Sequence, residues 1–158
     1  MDCYDQITRS RTMRSVLSKN TTPELVVRSF LFRHGFRFRL HSIKLPGHPD
    51  IVLPKYKTVV DVRGCFWHHH SGCRQATLPS SNTVYWQRKF SRNVERDKKI
   101  EMQLKELGWH LIIVWECELK KAGFLETLPG KIKDYKSKWQ SPKSMKDSRP
   151  NTPSQKGK

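Results

Sequence analysis

Fifteen residues, Val59 to Cys73 (VVDVRGCFWHHHSGC), set the tightest limit on how this chain can fold. A short apolar run of strand character ends in Asp61 and Arg63. Gly64, Cys65, Phe66, Trp67, three histidines (His68–His70) and Cys73 follow within ten residues. A strand that needed only burial would not lead into metal ligands, acid/base groups and large aromatics, so the chemistry is expected at this strand's C-terminal end. Cys65, His70 and Cys73 have the spacing C-x4-H-x2-C, and Cys117 follows another apolar run far along the chain. Three sulfurs and one imidazole make a closed tetrahedral zinc site, and a loop this poor in apolar residues needs such a cross-link to hold its shape. Reduced thiols without metal are the alternative at this spacing.

At 158 residues the chain is expected to form one domain with tails. Lys+Arg 31 against Asp+Glu 14 leaves a formal charge of +17. A compact fold with that excess repels itself, so a polyanionic partner is indicated, and nucleic acid leads. No apolar run reaches the ~20 residues of a membrane span and no secretory pattern opens the chain. An intracellular location is therefore expected, in which Cys3, Cys65, Cys73 and Cys117 are thiols or metal ligands rather than disulfides.

Residues 1–20 read as a polar, basic arm with isolated apolar points such as Met13. Thr21-Thr22-Pro23-Glu24 is a helix start. Thr21 can cap, proline suits the first turn, and Glu24 completes a capping box, a purely structural role that competes with a catalytic one. LVVRSFLF supplies the buried face, and Gly35 fits the stop. The alternation Phe36-Arg37-Phe38-Arg39-Leu40 predicts a half-buried strand. Asp50–Leu53 and Thr58–Arg63 predict two further strands, paired as a hairpin around Pro54–Lys57. After a Thr/Ser/Pro-rich loop, Ser81-Asn82-Thr83 can cap a long helix from about Val84 to Leu107, closed by Gly108 and basic over its first half. Trp109–Trp115 (WHLIIVW) is nearly all apolar and is expected at the sheet centre. A short helix is expected within 118–135, and a flexible basic tail from about 139 to 158. The order predicts a mixed α/β domain over 21–138, with helices covering a small sheet.

Asp50 and Asp61, carboxylates on neighbouring strands, with Arg63 beside them, can hold Mg²⁺ and neutralise a phosphorane-like transition state. His68 or His69 can activate water or protonate a leaving oxygen. The same charges also suit an ordinary surface hairpin. Phe66, Trp67 and Trp86 can wedge between bases, or can pack over the zinc loop.

At these residues the sequence resembles the very-short-patch repair mismatch endonucleases, the Vsr family, within the restriction-endonuclease-like PD-(D/E)XK superfamily. The likeness spans roughly residues 8–120 and includes TRSRTMRSV, KNTTPE, FRFRLHSIKLPGHPDIVLPKY, GCFWHHH, the Tyr85-Trp86 pair, NVERD and ELGWHLIIVWEC. The resemblance implies nicking of one strand of double-stranded DNA on the 5′ side of the thymine in a T·G mismatch left by deamination of 5-methylcytosine. It implies Asp50 as the central Mg²⁺ ligand, assisted by the backbone carbonyl of Val62. His68 would be the catalytic histidine, supported by Glu24 and Asp97. Cys65, His70, Cys73 and Cys117 would hold structural Zn²⁺. Phe66, Trp67 and Trp86 would intercalate, with Met13 entering from the minor-groove side. A monomer in the bacterial cytoplasm, nucleoid-associated and working beside a cytosine-5 methyltransferase and MutL, is also implied. Asp61 and Arg63 stand where members of the family more often carry an apolar residue and a histidine; Asp61-Val62-Arg63 instead looks like the D-x-K element of restriction enzymes. Two other readings therefore stand beside the first: a restriction or homing-type endonuclease acting on matched duplex, and a zinc-stabilised DNA-binding protein that does not cut.

Overall fold

The computed structural model describes Thr8 and residues 19–138. The expected basic arm, with Met13, lies outside the described residues apart from Thr8, Lys19 and Asn20, and so does the tail beyond 138. The described elements are α1 (Thr22–Arg33), β1 (Arg39–Leu40), β2 (Ile51–Leu53), β3 (Thr58–Arg63), α2 (Thr83–Glu106), β4 (His110–Trp115) and α3 (Leu128–Lys138), with short 3₁₀ turns at Pro54–Tyr56, Glu118–Lys120 and Leu125–Thr127. The four strands form one sheet in the order β1-β2-β3-β4. β1, β2 and β3 pair antiparallel, and β3 and β4 run parallel. A parallel pair needs a crossover, and the segment through α2 supplies it.

Strand alternation divides the core in two. Ile51, Leu53, Val60, Ile112 and Val114 pack with Val27, Phe30 and Leu31 of α1 and Leu128 and Ile132 of α3. Val52, Val59 and Leu111 face the other way and meet Ile100 and Leu104 of α2. The result is a sheet with helices on both faces, as the element order requires. Fully burying a Leu or Ile side chain stabilises by roughly 1.5–3 kcal/mol, so both faces of this small sheet contribute to holding it.

Two expectations about the strands change. The Trp109–Trp115 segment does form a strand, but among the described residues β4 pairs only with β3 and lies at the sheet edge rather than its centre. Its nearly continuous apolar character reports two covered faces, with α2 on one side and α3 on the other, and both an edge strand and a central strand can have that. The Phe36–Leu40 strand shortens to Arg39–Leu40. The end of α1 holds its first half, because Phe36 N–H donates to the Leu31 carbonyl at 3.0 Å, and the Phe36 ring is buried in the core.

Glu24 does close the capping box, accepting from the Thr21 amide at 3.4 Å and the Thr21 hydroxyl at 2.9 Å. α2 starts at Thr83 without a side-chain cap. It ends at Gly108, whose φ of +70° lets Trp109 N–H reach the Leu104 carbonyl at 2.8 Å and turns the chain into β4. Gly47 seats the β1–β2 connection against α2. Its φ is +74°, and a Cβ there would stand 2.6 Å from the Ile100 side chain.

Candidate active site

The strand register gathers the site. β2 and β3 pair Ile51 with Val60, so one step further Asp50 lies across from Asp61. β1 and β2 pair Leu40 with Ile51, and the next step sets His41 across from Asp50, with His41 N–H donating to the Asp50 carbonyl at 3.3 Å. His41, Asp50 and Asp61 thus form one row across three strand ends. A cleft of about 760 Å³ opens there, lined among others by Glu24, Asp50, Asp61, His68, Asp97 and Glu116.

Asp50 Oδ2 accepts from the Val62 amide at 2.8 Å. Burial raises the carboxyl of Asp50 to about 7; the Val62 N–H opposes this, while the negative charges of Asp61 and Glu24 add to it. A carboxylate desolvated in this way beside two others is one whose charged form a divalent cation would stabilise. Val62 itself lines the cleft.

Facing this row, His68 Nδ1 lies 2.5 Å from Asp97 Oδ2, and Arg96 reaches Asp97 Oδ1 at 3.2 Å. Burial pushes the Asp97 carboxyl up, but His68, then Arg63 and Arg96, outweigh it and hold it below the ordinary carboxylate value. An ionised Asp97 accepts, so Nδ1 of His68 carries the proton and Nε2 is left to exchange one.

Arg63 does not enter the cleft. It is 4% exposed and donates to Asp61 Oδ2 and Glu101 Oε1, each at 2.8 Å. The expected cation beside Asp50 and Asp61 is therefore spent on fixing Asp61. The alternation that put Asp61 and Arg63 on one face is real, but α2 supplies Glu101 as a second partner, which no local pattern announced.

The cysteine cluster follows from the parallel pairing. β3 and β4 end in register at Arg63 and Trp115, so Cys65 and Cys117, each two residues further on, arrive side by side. Tight turns bring round the rest, with His70 N–H on the Cys65 carbonyl at 3.0 Å and Cys73 N–H on the His70 carbonyl at 3.2 Å. The ligand atoms of Cys65, His70, Cys73 and Cys117 all lie within 4.8 Å of one another. His70 Nδ1 stands 3.6 Å from Cys65 Sγ and 3.4 Å from Cys117 Sγ. Ligands at ordinary zinc distances and tetrahedral angles stand about 3.5 Å apart, so the donor set fits that ion. Burial pushes the Cys65 thiol up to about 12, whereas the Gln75 amide lowers Cys73. The Trp115 ring stacks flat on His70, 4.0 Å between centroids and 1° between planes. Nothing in the sequence marked Trp115 for that role beyond its place beside Cys117.

Phe66, Trp67 and Trp86 are half-buried and packed on one another, with centroids 5.0 to 6.1 Å apart, and Phe90 lies beneath. Lys89 Nζ sits 5.2 to 5.7 Å from the rings of Trp67, Trp86 and Tyr85. His69 is exposed and stacks on Phe90 rather than facing the cleft. The sequence reading missed His41 and Arg28: neither belongs to a motif, and both appear only once the register and the α1 packing are known.

The sequence of the chain is similar to those of known DNA endonucleases. Residues 1–75 match the family model described as DNA mismatch endonuclease Vsr. The type II nicking enzyme V.NmeAIP of Neisseria meningitidis serogroup A is 47% identical over 137 residues, 84% of this chain and 97% of its own. V.XorIIP of Xanthomonas oryzae pv. oryzae, another type II nicking enzyme, is 50% identical over 118 residues, 75% of this chain and 86% of its own. The DNA mismatch endonuclease Vsr of Escherichia coli K12 is 42% identical over 119 residues, 75% of this chain and 76% of its own. The chain belongs to the Vsr family. Among the described residues, no helix is long and apolar enough to cross a membrane.

Proposed function

We propose that this protein is a Mg²⁺-dependent endonuclease that nicks one DNA strand on the 5′ side of the thymine in a T·G mismatch, with Zn²⁺ as a structural cross-link. The observation that carries the reading is the pairing of Asp50, crowded by acidic neighbours at the row of strand ends, with the Asp97-oriented His68 across one cleft. Asp50, with the Val62 carbonyl, would hold Mg²⁺, and that ion would polarise the scissile phosphate and lower the pKa of bound water.

The chain's own groups then have definite tasks. Asp97 fixes the tautomer of His68, whose Nε2 takes or gives a proton at the reacting oxygen, an effect typically worth ~10²–10⁴ in rate. Glu24 joins Arg28 and Asn20 to the cleft wall while capping α1, so its structural and site roles coexist. Phe66, Trp67 and Trp86 form a wedge that selects a step cheap to unstack, which a mismatch is. Arg88, Lys89 and Arg92 line a groove of about 560 Å³ beside it and suit the phosphate backbone.

Asp61 carries a second reading. Set across from Asp50, it suits a two-carboxylate restriction-type site acting on matched duplex. The test is Asp50→Ala. Nicking of a T·G duplex in Mg²⁺ should fall at least ~10³-fold while the gel-shift affinity for the same duplex stays within a few-fold. Intact nicking would remove Asp50 from the reaction. Absence of nicking by the unaltered chain on mismatched and matched duplexes alike would favour binding without cleavage.

A further inference from the structure

His41 has no part in the reaction as proposed, yet its ring lies against Glu24 and Asp50, two carboxylates that line the cleft. Nδ1 lies 3.8 Å from Asp50 Oδ1 and Nε2 lies 3.9 Å from Glu24 Oε2. One ligand atom each from Glu24, His41 and Asp50 falls within 4.8 Å of the others, which at first suggests a three-ligand cation site. Arg28 decides against it. Its Nη2 lies 2.9 Å from His41 Nε2. A guanidinium only donates, so this contact is favourable only when the Nε2 lone pair accepts, and the ring proton then sits on Nδ1. Arg28 is not free to swing away. It is 8% exposed and tied to Asn20 Oδ1 at 2.6 Å and to Glu24 Oε2. A ring with one nitrogen occupied and the other protonated has no lone pair left for a metal ion.

We infer that His41 is a positioning residue for Asp50: Arg28 locks the tautomer that turns Nδ1–H toward Asp50 Oδ1, while the Val62 amide holds Oδ2. At 3.8 Å the His41 contact is electrostatic orientation rather than a hydrogen bond. The two N–H groups act on separate oxygens of one carboxylate and restrict its rotation, leaving its remaining lone pairs for the cleft. Partners of this kind behind a metal-ligating carboxylate typically change metal affinity ~10- to 100-fold. The inference rests on the reading of Asp50 as the Mg²⁺ ligand.

The test is calorimetric titration of Mg²⁺ and of Mn²⁺ into the zinc-loaded full chain, with far-UV circular dichroism and zinc content matched across variants. His41→Phe should weaken both ions by about tenfold and equally, and His41→Gln, which keeps an N–H donor, should recover most of the loss. Mn²⁺ accepts nitrogen ligands more readily than Mg²⁺ does, so a loss confined to Mn²⁺ would make His41 a ligand and overturn the inference. Unchanged affinity in His41→Phe would overturn it too. If the phenylalanine variant does not fold, the Mn²⁺/Mg²⁺ affinity ratio of His41→Gln carries the decision: unchanged for positioning, lowered for ligation. Binding that Asp50→Asn leaves untouched would instead remove Asp50 as the ligand, a failure distinct from that of His41 alone.

Discussion

Asp50→Asn should abolish the proposed cleavage and make the protein more stable. The Asp50 side chain is 15% exposed, and its carboxyl is raised from 3.8 to about 7, chiefly by burial. Ionising it in the folded chain rather than the unfolded one costs about 4 kcal/mol at 1.36 kcal/mol per pH unit. Asparagine removes that cost but accepts more weakly from the Val62 amide, a loss of about 1–2 kcal/mol. The expected net gain at pH 8 is on the order of 2 kcal/mol, or roughly 6–10 °C in Tm for a domain of this size. The pH dependence has a definite sign. Between 3.8 and about 7 the unfolded chain has lost the Asp50 proton and the folded chain has kept it, so wild-type stability falls as pH rises through this window and levels off above it. The advantage of asparagine should therefore be absent near pH 4 and complete by pH 8. Urea unfolding of zinc-loaded protein in Mg²⁺-free buffer at the two pH values measures it. Added Mg²⁺ should then stabilise the wild type and leave the variant unmoved. A variant equally or less stable at pH 8, or a gap independent of pH, would refute the reasoning.

Three further outcomes are expected. Cys73→Ser should lower zinc content and thermal stability together, by several kcal/mol, measured by metal analysis and melting; normal folding without zinc would remove the structural site. Asp97→Asn releases the His68 tautomer and should cut the nicking rate at saturating Mg²⁺ by ~10²-fold or more with little change in duplex affinity; a pure loss of affinity would make the pair a structural one. Trp67→Ala should shrink the preference for mismatched over matched duplex in competition binding, and an unchanged ratio would return Trp67 to packing beside Phe66 and Trp86.

The sequence revealed most where chemistry and spacing coincide. Cys65, His70 and Cys73 announced themselves by proximity, and Cys117 by its place at a strand end; the parallel register then explains why that end arrives beside Cys65. The hairpin of β2 and β3 was readable from turn residues and alternation, and with it the approach of Asp50 to Asp61. The position of β4 was not, because an apolar run records how many faces are covered and is silent about how many neighbours a strand has. The fate of Arg63 was equally hidden: Glu101 lies 38 residues away, and only the packing of α2 on the sheet brings it near. His41 and Arg28 carry no motif at all, and their meeting with Glu24 and Asp50 depends on α1 lying across the end of the hairpin.

The most direct measurement of the central claim is strand cleavage in Mg²⁺ on two end-labelled duplexes of the same varied flanking sequence, identical except for one T·G pair replacing C·G. The account predicts a single nick in the T·G duplex only, on the 5′ side of the thymine. Equal cutting of both duplexes would contradict it and would promote Asp61, across from Asp50, to a metal ligand of a restriction-type enzyme.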